Sequence, residues 1–365
     1  IDAAVIDHRG PDFGDLGFSV LSGMQRIFKT KSPVIIYPSS GTGAWEACLL
    51  NVLGAGDQVL FYETGHFANL WKQMADRLGI QTEFLGGDWR NGVDANRIEQ
   101  RLRDDPAGLI KAVCCVHHET SCGITSDIQA VRNAIDSTGH PALLLVDSIS
   151  GLASVDYEHD LWGADVTVSG SQKGLMMPPG LGFNALSDRA IDVAKRGGSK
   201  RSYWDWQEML TANASGYFPY TPATTLFYGL KEAIAMLEEE GLQNVFSRHK
   251  RLADSCLAAV DAWELETVCL NPREHSNALT GIMMPDGHDA DYVRQIILQH
   301  FNMSLGTGLG KIRGKAFRIG HLGDINELML MGVVCGVEMG LGLAAARPSQ
   351  HRRAKLYAQT PDPPP

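Results

Sequence analysis

Two kinds of hydrophobic pattern alternate along the first half of this chain. Runs of consecutive apolar residues, typical of strands buried on both faces, occupy residues 34–37, 58–62, 112–116, 142–146, 165–168 and 182–186. Between several of these runs, apolar residues recur at helical spacing, in segments that begin at Gly43, His66 and Asp127. The alternation predicts an α/β domain with a mostly parallel central sheet, and the short gaps after residue 142 leave room for one reversed strand.

The second half of the chain has a different pattern. Helical and strand-like segments follow one another at residues 222–240, 244–263, 278–284, 291–300, 317–320 and 326–345. We therefore predict a large domain over residues 1–240, whose N-terminal segment is expected to be incomplete, and a smaller C-terminal α+β domain over residues 241–350. Residues 351–365 end in prolines and are expected to form a disordered tail.

Composition and charge narrow the class of function. The 365 residues carry a formal net charge of −10, and no apolar run approaches the roughly 20 residues of a membrane span. Nucleic acids and anionic membranes select basic surfaces, so we expect neither as a partner and favour a small metabolite. The seven cysteines are few and mostly lie in apolar runs, which predicts reduced thiols and a cytoplasmic protein.

Small residues stand between the first apolar run and the helix that follows it. The stretch Ser40-Gly41-Thr42-Gly43-Ala44 has no bulky side chain, so an anion can approach the exposed amides of the helix start. Thr42, Gly43 and Ala44 are therefore candidates for a phosphate cradle. A tight turn from strand to helix is the alternative, and the pattern matches neither of the common glycine motifs for nucleotides.

Two charged residues follow later apolar runs. Asp147 comes directly after residues 142–146, and Lys173 lies shortly after residues 165–168, so both belong to the sheet edge where α/β proteins bind ligands. Taken alone, the carboxylate is equally well explained as a helix cap and the lysine as a surface residue. Together with a phosphate cradle, they are the groups that pyridoxal phosphate requires: a lysine for a Schiff base and a carboxylate that keeps the pyridine nitrogen protonated.

Five short motifs are distributed over nearly the whole chain. They are Ser40-Gly41-Thr42-Gly43-Ala44-Trp45-Glu46, His118-Glu119-Thr120-Ser121-Cys122-Gly123, Val146-Asp147-Ser148-Ile149-Ser150, Gly170-Ser171-Gln172-Lys173 and Phe317-Arg318-Ile319-Gly320. In this order they resemble the class V aminotransferases, and within them the serine–glyoxylate and alanine–glyoxylate aminotransferase group. The resemblance implies the pyridoxal-phosphate-dependent transferase fold, fold type I.

The resemblance also implies roles for the matching residues. Lys173 is expected to form the covalent link to pyridoxal 5′-phosphate, and Asp147 to pair with the pyridine nitrogen. The other expected cofactor contacts are to the phosphate (Thr42, Gly43, Ala44 and Gln172), to the ring hydroxyl (Thr120) and to the ring face (Phe67).

A shared active site is a further implication of the resemblance. Family members are homodimers or dimers of dimers, and Thr221 is expected to reach the phosphate bound by the partner chain. The tyrosine often found in this segment of relatives aligns with Phe218, although Tyr220 lies nearby. We therefore assign a role to Thr221 and not to the aromatic residue.

Arg318 lies in an otherwise apolar, strand-like run. An internal salt bridge is one explanation for it. The other is that the planar guanidinium binds the α-carboxylate of the substrate, with which its geometry is complementary. The family resemblance favours the second.

Three other groups are given no catalytic role. His117 and His118 are adjacent on a predicted strand and point to opposite faces, so no metal site is expected there. Nothing marks Cys122 as an activated nucleophile. The aromatic cluster Tyr203-Trp204-Asp205-Trp206 is predicted to pack in a lid or an interface.

The expected activity is a ping-pong transfer of an amino group from L-serine or alanine to glyoxylate, which gives hydroxypyruvate or pyruvate and glycine. The nearest alternatives keep the cofactor and use aspartate, ureidoglycine or pyridoxamine as donor. A cysteine desulfurase-type lyase is a more distant one. A binding protein without activity would not require Lys173, Asp147 and Arg318 together.

Overall fold

The computed structural model describes residues 4–345. Its strands are β1 (Val34–Tyr37), β2 (Gln58–Tyr62), β3 (Gln81–Leu85), β4 (Ile110–Val116), β5 (His118–Glu119), β6 (Ile124–Thr125), β7 (Leu143–Asp147), β8 (Val166–Gly170), β9 (Gly182–Leu186), β10 (Glu266–Thr267), β11 (Leu279–Met283), β12 (Gly306–Thr307) and β13 (Ala316–Gly320). Its α-helices are α1 (Pro11–Phe28), α2 (Gly41–Val52), α3 (His66–Arg77), α4 (Ala95–Arg103), α5 (Ile128–Thr138), α6 (Asp188–Arg196), α7 (Trp206–Asn213), α8 (Thr224–Glu240), α9 (Leu242–Ala262), α10 (Ala290–Phe301) and α11 (Glu327–Leu343).

Seven strands form the larger sheet, in the order β1-β9-β8-β7-β4-β2-β3. Strand β9 runs antiparallel to both of its neighbours, and the other pairs are parallel. The predicted α/β fold with a mostly parallel sheet and one reversed strand is therefore confirmed. Strand β3 was not among the predicted strands, because it lies at the sheet edge and begins with the polar residues Gln81, Thr82 and Glu83.

Both faces of this sheet are covered by helices, which explains the continuous apolar runs. In β1, Val34 and Ile36 pack into a core that also contains residues of α1, α4, α5 and α8. The alternate residues Ile35 and Tyr37 pack into a second core with α2, α3, α6 and α7. A strand between two helix layers can therefore carry an apolar side chain at every position.

The four strands β10, β11, β13 and β12 form a second, antiparallel sheet in that order. Its core is shared with α9, α10 and α11. Gly241 separates α8 from α9 with φ of 81°, in the left-handed region that favours glycine. The division into domains at this residue stays a prediction, and the tail predicted at residues 351–365 lies outside the described residues.

All seven cysteines are unpaired, and six of them are buried; Cys335 is exposed. Among residues 4–345, no helix combines the length and the apolar composition that crossing a bilayer requires.

Candidate active site

The predicted site residues gather at one edge of the larger sheet. Phe67 follows β2, Thr120 follows β4, Asp147 ends β7 and Lys173 follows β8. Helix α2, with Thr42 in its first turn, follows β1. Because the strands β1, β2, β4, β7 and β8 run in the same direction, their carboxyl ends meet at this edge, where open α/β sheets bind ligands.

Asp147 is a buried carboxylate with one hydrogen-bond donor on each oxygen. Its Oδ1 accepts from the Ile149 amide at 2.7 Å, and its Oδ2 accepts from Trp45 Nε1 at 3.1 Å. Burial raises the pKa of Asp147 to about 7, and the negative charge of Glu119 adds to the rise. The two hydrogen bonds and the positive charge of Lys173 oppose it. A positive or proton-donating ligand group would favour the ionised form of this carboxylate.

Lys173 is half-buried and has a lowered pKa. Burial is the largest cause, the positive charge of Arg318 adds to the decrease, and the negative charge of Asp147 opposes it. The ion pairs among the described residues do not include Lys173. Its amino group is therefore neutral, and hence nucleophilic, at a lower pH than that of an ordinary lysine.

Helix α2 begins without a side-chain cap. Its N-cap residue is Ser40, whose hydroxyl makes no capping hydrogen bond, and whose carbonyl oxygen accepts from the Ala44 amide at 3.1 Å. The amides of Gly41, Thr42 and Gly43 precede this first helical hydrogen bond and lack intrahelical acceptors. Of the predicted cradle, Thr42 and Gly43 thus offer free amides, whereas the Ala44 amide is already engaged.

Close packing around Gly43 and Gly170 leaves little room for a side chain at either position. A β-carbon on Gly43 would lie 2.0 Å from Ser39 Oγ and 3.0 Å from the Trp204 ring. A β-carbon on Gly170 would lie 3.1 Å from Gln172 Oε1 and 3.3 Å from the Gly41 amide nitrogen. Gln172 therefore borders the start of α2, as its predicted role requires.

The buried Gln172 Oε1 has no hydrogen-bond partner among the described residues. Unsatisfied buried polar atoms are uncommon in native proteins, and a bound ligand is one explanation. Rotation of the amide by half a turn would present Nε2 as a donor at the same place. An uncapped helix start beside a buried amide fits a phosphate group.

Phe67 is held at the start of α3 by Glu119. The Glu119 carboxylate is buried and accepts from the amides of Phe67 and Ala68 at 3.3 and 3.2 Å. Ser121 completes the cap, because its hydroxyl donates to Glu119 Oε1 at 2.6 Å and accepts from the His66 amide at 2.9 Å. The segment that carries Thr120 is thus fixed to the helix that carries Phe67.

Arg318 approaches this edge from β13 of the second sheet. Its Nε donates to the Thr307 carbonyl oxygen at 2.9 Å, and its Nη1 donates to the Thr120 carbonyl oxygen at 2.6 Å. The ion pairs of the described residues do not include it, so they provide no internal salt bridge. Its neighbours across the sheet are Gly281 and Gly306, which leave space for the guanidinium.

Thr120 and Thr221 differ in their surroundings. The Thr120 hydroxyl is hydrogen bonded to the hydroxyl of Ser150. Thr221 is exposed in the single chain, in a segment where Tyr220 stacks on Tyr203 with ring centroids 4.1 Å apart. Among the described residues, Thr221 makes no hydrogen bond to the other predicted site residues, so its predicted role requires a partner chain.

Three residues of this region were missed by sequence reasoning: Trp45, Glu119 and His66. All three lie in or beside motifs whose neighbours were assigned. Trp45 donates to Asp147, and Glu119 accepts from the Phe67 amide; both partners are distant in the sequence, so spacing carries no signal for these contacts. His66 is half-buried, and burial and the charges of Arg318 and Arg313 lower its pKa.

The groups given no catalytic role have structural partners. His117 Nδ1 is hydrogen bonded to Ser148 Oγ, and His118 Nδ1 to Ser276 Oγ, both at 3.0 Å. In the part of the chain that the structure describes, no group of three or more His, Cys, Asp or Glu is placed to hold a metal ion. Burial raises the pKa of the Cys122 thiol, which disfavours its nucleophilic thiolate form.

The aromatic cluster at residues 203–206 packs against β1 and α2. Trp206 is fully buried and donates to the Tyr37 hydroxyl at 2.7 Å. Trp204 lies edge-on against the Tyr37 ring, at 5.2 Å between centroids, and borders Gly43. The cluster therefore supports the start of α2 from outside the sheet.

Known proteins are similar to this chain in both sequence and fold. The family model for aminotransferase class-V matches residues 19–311. The serine–glyoxylate aminotransferase of Methylorubrum extorquens is 44% identical over 92% of this chain and 85% of its own length. The L-aspartate–glyoxylate aminotransferase of Paracoccus denitrificans is 39% identical over 98% and 93%. An alanine–glyoxylate aminotransferase structure from a Nostoc species has a TM-score of 0.88 and 27% identity, over 93% of this chain and 90% of that one.

The lowered pKa of Lys173 can be tested without substrate. In cofactor-free protein, we expect the rate of reductive methylation of Lys173 to reach half of its maximum at a lower pH than the usual lysine value of about 10.4. Arg318→Gln should move this midpoint upward, because the positive charge of Arg318 lowers the pKa. Peptide mass spectrometry over a pH series gives the midpoint. Arg313→Gln is the matched control and should leave it in place; an unchanged midpoint in Arg318→Gln would contradict the assigned cause.

Proposed function

Because this chain belongs to the class V aminotransferases, we propose that it transfers the amino group of L-serine to glyoxylate and uses pyridoxal phosphate as its cofactor. The products are hydroxypyruvate and glycine, formed in two half-reactions of a ping-pong cycle. One observation carries the amino-transfer chemistry: Lys173 is half-buried, and burial and the charge of Arg318 lower its pKa while the charge of buried Asp147 opposes them. The choice of serine is supported by the 44% identical relative.

The site residues fit the proposed cofactor group by group. Thr42 and Gly43 offer free amides at an uncapped helix start, and Gln172 has a buried, unsatisfied side-chain oxygen beside it. The Asp147 carboxylate, with one donor on each oxygen, retains a lone pair on each for a ring N–H. We propose that Ala44 lines the same cradle by its small side chain rather than by its engaged amide.

Each residue has a distinct part in the proposed reaction. When bound, pyridoxal phosphate supplies a carbonyl for amine exchange and a conjugated electron sink. Neutral Lys173 would accept the proton from the substrate Cα and deliver it to the C4′ carbon of the cofactor in the first half-reaction, and it would move a proton from C4′ to Cα in the second. Asp147 keeps a proton on the ring nitrogen, Phe67 packs against the ring and Thr120 donates to or accepts from the ring hydroxyl.

Another amino donor is the main alternative, because the L-aspartate–glyoxylate aminotransferase relative covers nearly the whole chain. Alanine, ureidoglycine and pyridoxamine are further donors to test. A desulfurase activity through Cys122 is disfavoured by the burial of its thiol. We also propose a cytoplasmic location, which the seven unpaired cysteines support.

The donor is tested by a half-reaction screen. Holoprotein is mixed with each amino acid in turn, without a keto acid, and the loss of absorbance of the lysine-bound cofactor is followed in a stopped-flow instrument. We expect serine to give the largest apparent second-order rate constant, and Lys173→Ala to lack both the absorbance band and the reaction. A larger rate constant for aspartate than for serine would identify aspartate as the donor. Sulfide release from cysteine would identify the protein as a lyase.

Arg318 is proposed to bind the α-carboxylate that serine and glyoxylate share. We expect Arg318→Lys to lower the specificity constants of both half-reactions by about 30- to 150-fold, because losing a charge-assisted, two-pronged contact costs about 2–3 kcal/mol. The cofactor spectrum should be unchanged. The control substrate is 2-aminoethanol, which lacks the carboxylate and should react equally slowly with both proteins. If the variant harms it as much as serine, Arg318 has a structural role instead.

We also propose a homodimer in which Thr221 completes the phosphate site of the partner chain. The exposure of Thr221 in the single chain supports this assignment. Lys173→Ala and Thr221→Ala should each be impaired. Mixing them under conditions of chain exchange should restore up to about a quarter of the wild-type activity, because about half of the dimers then contain both variants and each of these has one intact site of two. Mixing either variant with itself is the control. A fully active monomer in sedimentation at assay concentration would rule out the shared site.

A further inference from the structure

We propose that Trp45 is a positioning residue for Asp147: its indole N–H fixes the carboxylate so that the free lone pairs point toward the ring nitrogen of the cofactor. This inference rests on the proposed pyridoxal phosphate site but not on the identity of the amino donor. Trp45 is assigned no contact with substrate or with the reacting atoms.

Two donors on different oxygens hold the Asp147 carboxylate. Trp45 Nε1 lies 3.1 Å from Oδ2, and the Ile149 amide nitrogen lies 2.7 Å from Oδ1. A single donor would leave the carboxylate free to rotate about its Cβ–Cγ bond, whereas two donors define the plane of the group. The amide is part of the backbone of its own loop, so the indole is the side-chain donor that sets this plane from another element.

The indole itself is held rigidly. Trp45 is 2% exposed, stacks on Trp71 with centroids 5.8 Å apart and an interplanar angle of 13°, and lies 6.5 Å from the Phe67 ring. Such packing restricts the indole to one orientation, with its N–H toward Asp147. The same indole therefore contacts two residues that would hold the cofactor ring, Asp147 and Phe67.

Helix α2 connects the two ends of the proposed site. Its first turn offers the amides of Thr42 and Gly43 to the phosphate, and Trp45 lies about one turn further along the same helix. The helix is seated on the Asp147 loop, because a β-carbon on Gly41 would lie only 2.3 Å from Ile149 Cδ1. The distance between the phosphate cradle and the carboxylate is therefore set by one rigid element.

The hydrogen bond from Trp45 matters because opposing effects act on the ionisation of Asp147. Burial and the neighbouring Glu119 both favour the protonated form, while Trp45, Ile149 and Lys173 favour the ionised form. Removing the indole N–H takes away one of these stabilising contacts and releases the carboxylate plane. Removing the indole N–H should therefore weaken binding through the ligand group that hydrogen bonds to Asp147, and should leave the contacts of the rest of the ligand unchanged.

Trp71 provides a matched control. It is fully buried and stacked against Trp45, but its Nε1 has no hydrogen-bond partner among the described residues. Trp71→Phe and Trp45→Phe therefore remove the same atoms from the same aromatic stack. They differ in that one of them also removes a hydrogen bond to Asp147.

The test compares two ligands by equilibrium dialysis against cofactor-free protein: pyridoxal phosphate, and the analogue in which the ring nitrogen is replaced by C–H. We expect wild-type protein to prefer pyridoxal phosphate, and Trp45→Phe to weaken its binding by about tenfold or more while the affinity for the analogue changes little. Trp71→Phe should change the two affinities by the same factor. Equal losses for both ligands in Trp45→Phe, or the same selective loss in Trp71→Phe, would overturn the proposal.

A second variant guards against misfolding of Trp45→Phe. Replacement of Trp45 by 3-benzothienylalanine keeps the size and shape of the ring and substitutes sulfur for the N–H. It should reproduce the selective loss of pyridoxal phosphate affinity, and wild-type discrimination in this variant would overturn the proposal. No amino donor is present, so an incorrect choice of serine leaves the result unaffected, whereas wild-type protein that binds neither ligand would refute the proposed cofactor itself.

Discussion

The buried carboxylate of Asp147 is the constraint on which the rest of the site depends. Removing an ionised carboxylate from water is costly, and here burial raises its pKa to about 7. Only the Ile149 amide and the Trp45 indole offset that cost through hydrogen bonds from the described chain. A site left in this state favours a ligand that brings a proton or a positive charge, and a pyridinium nitrogen does so.

The same dependence extends to Lys173 and Arg318. Burial and the positive charge of Arg318 lower the pKa of Lys173, while Asp147 opposes them. If Asp147 were fully exposed, water would screen its charge. The charge of Arg318 would then outweigh that of Asp147 in setting the pKa of Lys173. Lys173 thus links the three groups into one electrostatic unit: its pKa responds to the charges of both Arg318 and Asp147, and its own charge lowers the pKa of Asp147.

Much of this unit could be predicted from sequence, because it follows from local pattern. Asp147 stands directly after one apolar run and Lys173 shortly after another, and the carboxyl ends of parallel strands meet at one edge. Trp45 and Glu119 could not be assigned in this way. Their partners, Asp147 Oδ2 and the Phe67 amide, lie 102 and 52 residues away in the sequence. Strand β3 escaped notice for a related reason: an edge strand can carry polar residues, so it lacks the apolar run that identified its neighbours.

Arg318 shows how the second sheet contributes to the site. In β13 it faces Gly281 on one side and Gly306 on the other, so no side chain competes for the space above the strand. A β-carbon on Gly306 would lie 3.2 Å from Arg318 Nε, and one on Gly281 would lie 2.6 Å from the Cys122 carbonyl oxygen. Gly281 therefore lets β11 approach the backbone of Cys122, and Gly306 leaves room for the Arg318 side chain, which reaches the Thr120 carbonyl at the edge of the larger sheet. The residues proposed to hold the cofactor lie at the edge of the larger sheet, and the residue proposed to hold the substrate carboxylate lies in the smaller one. In the proposed reaction, substrate selection would therefore depend on how closely the two sheets pack.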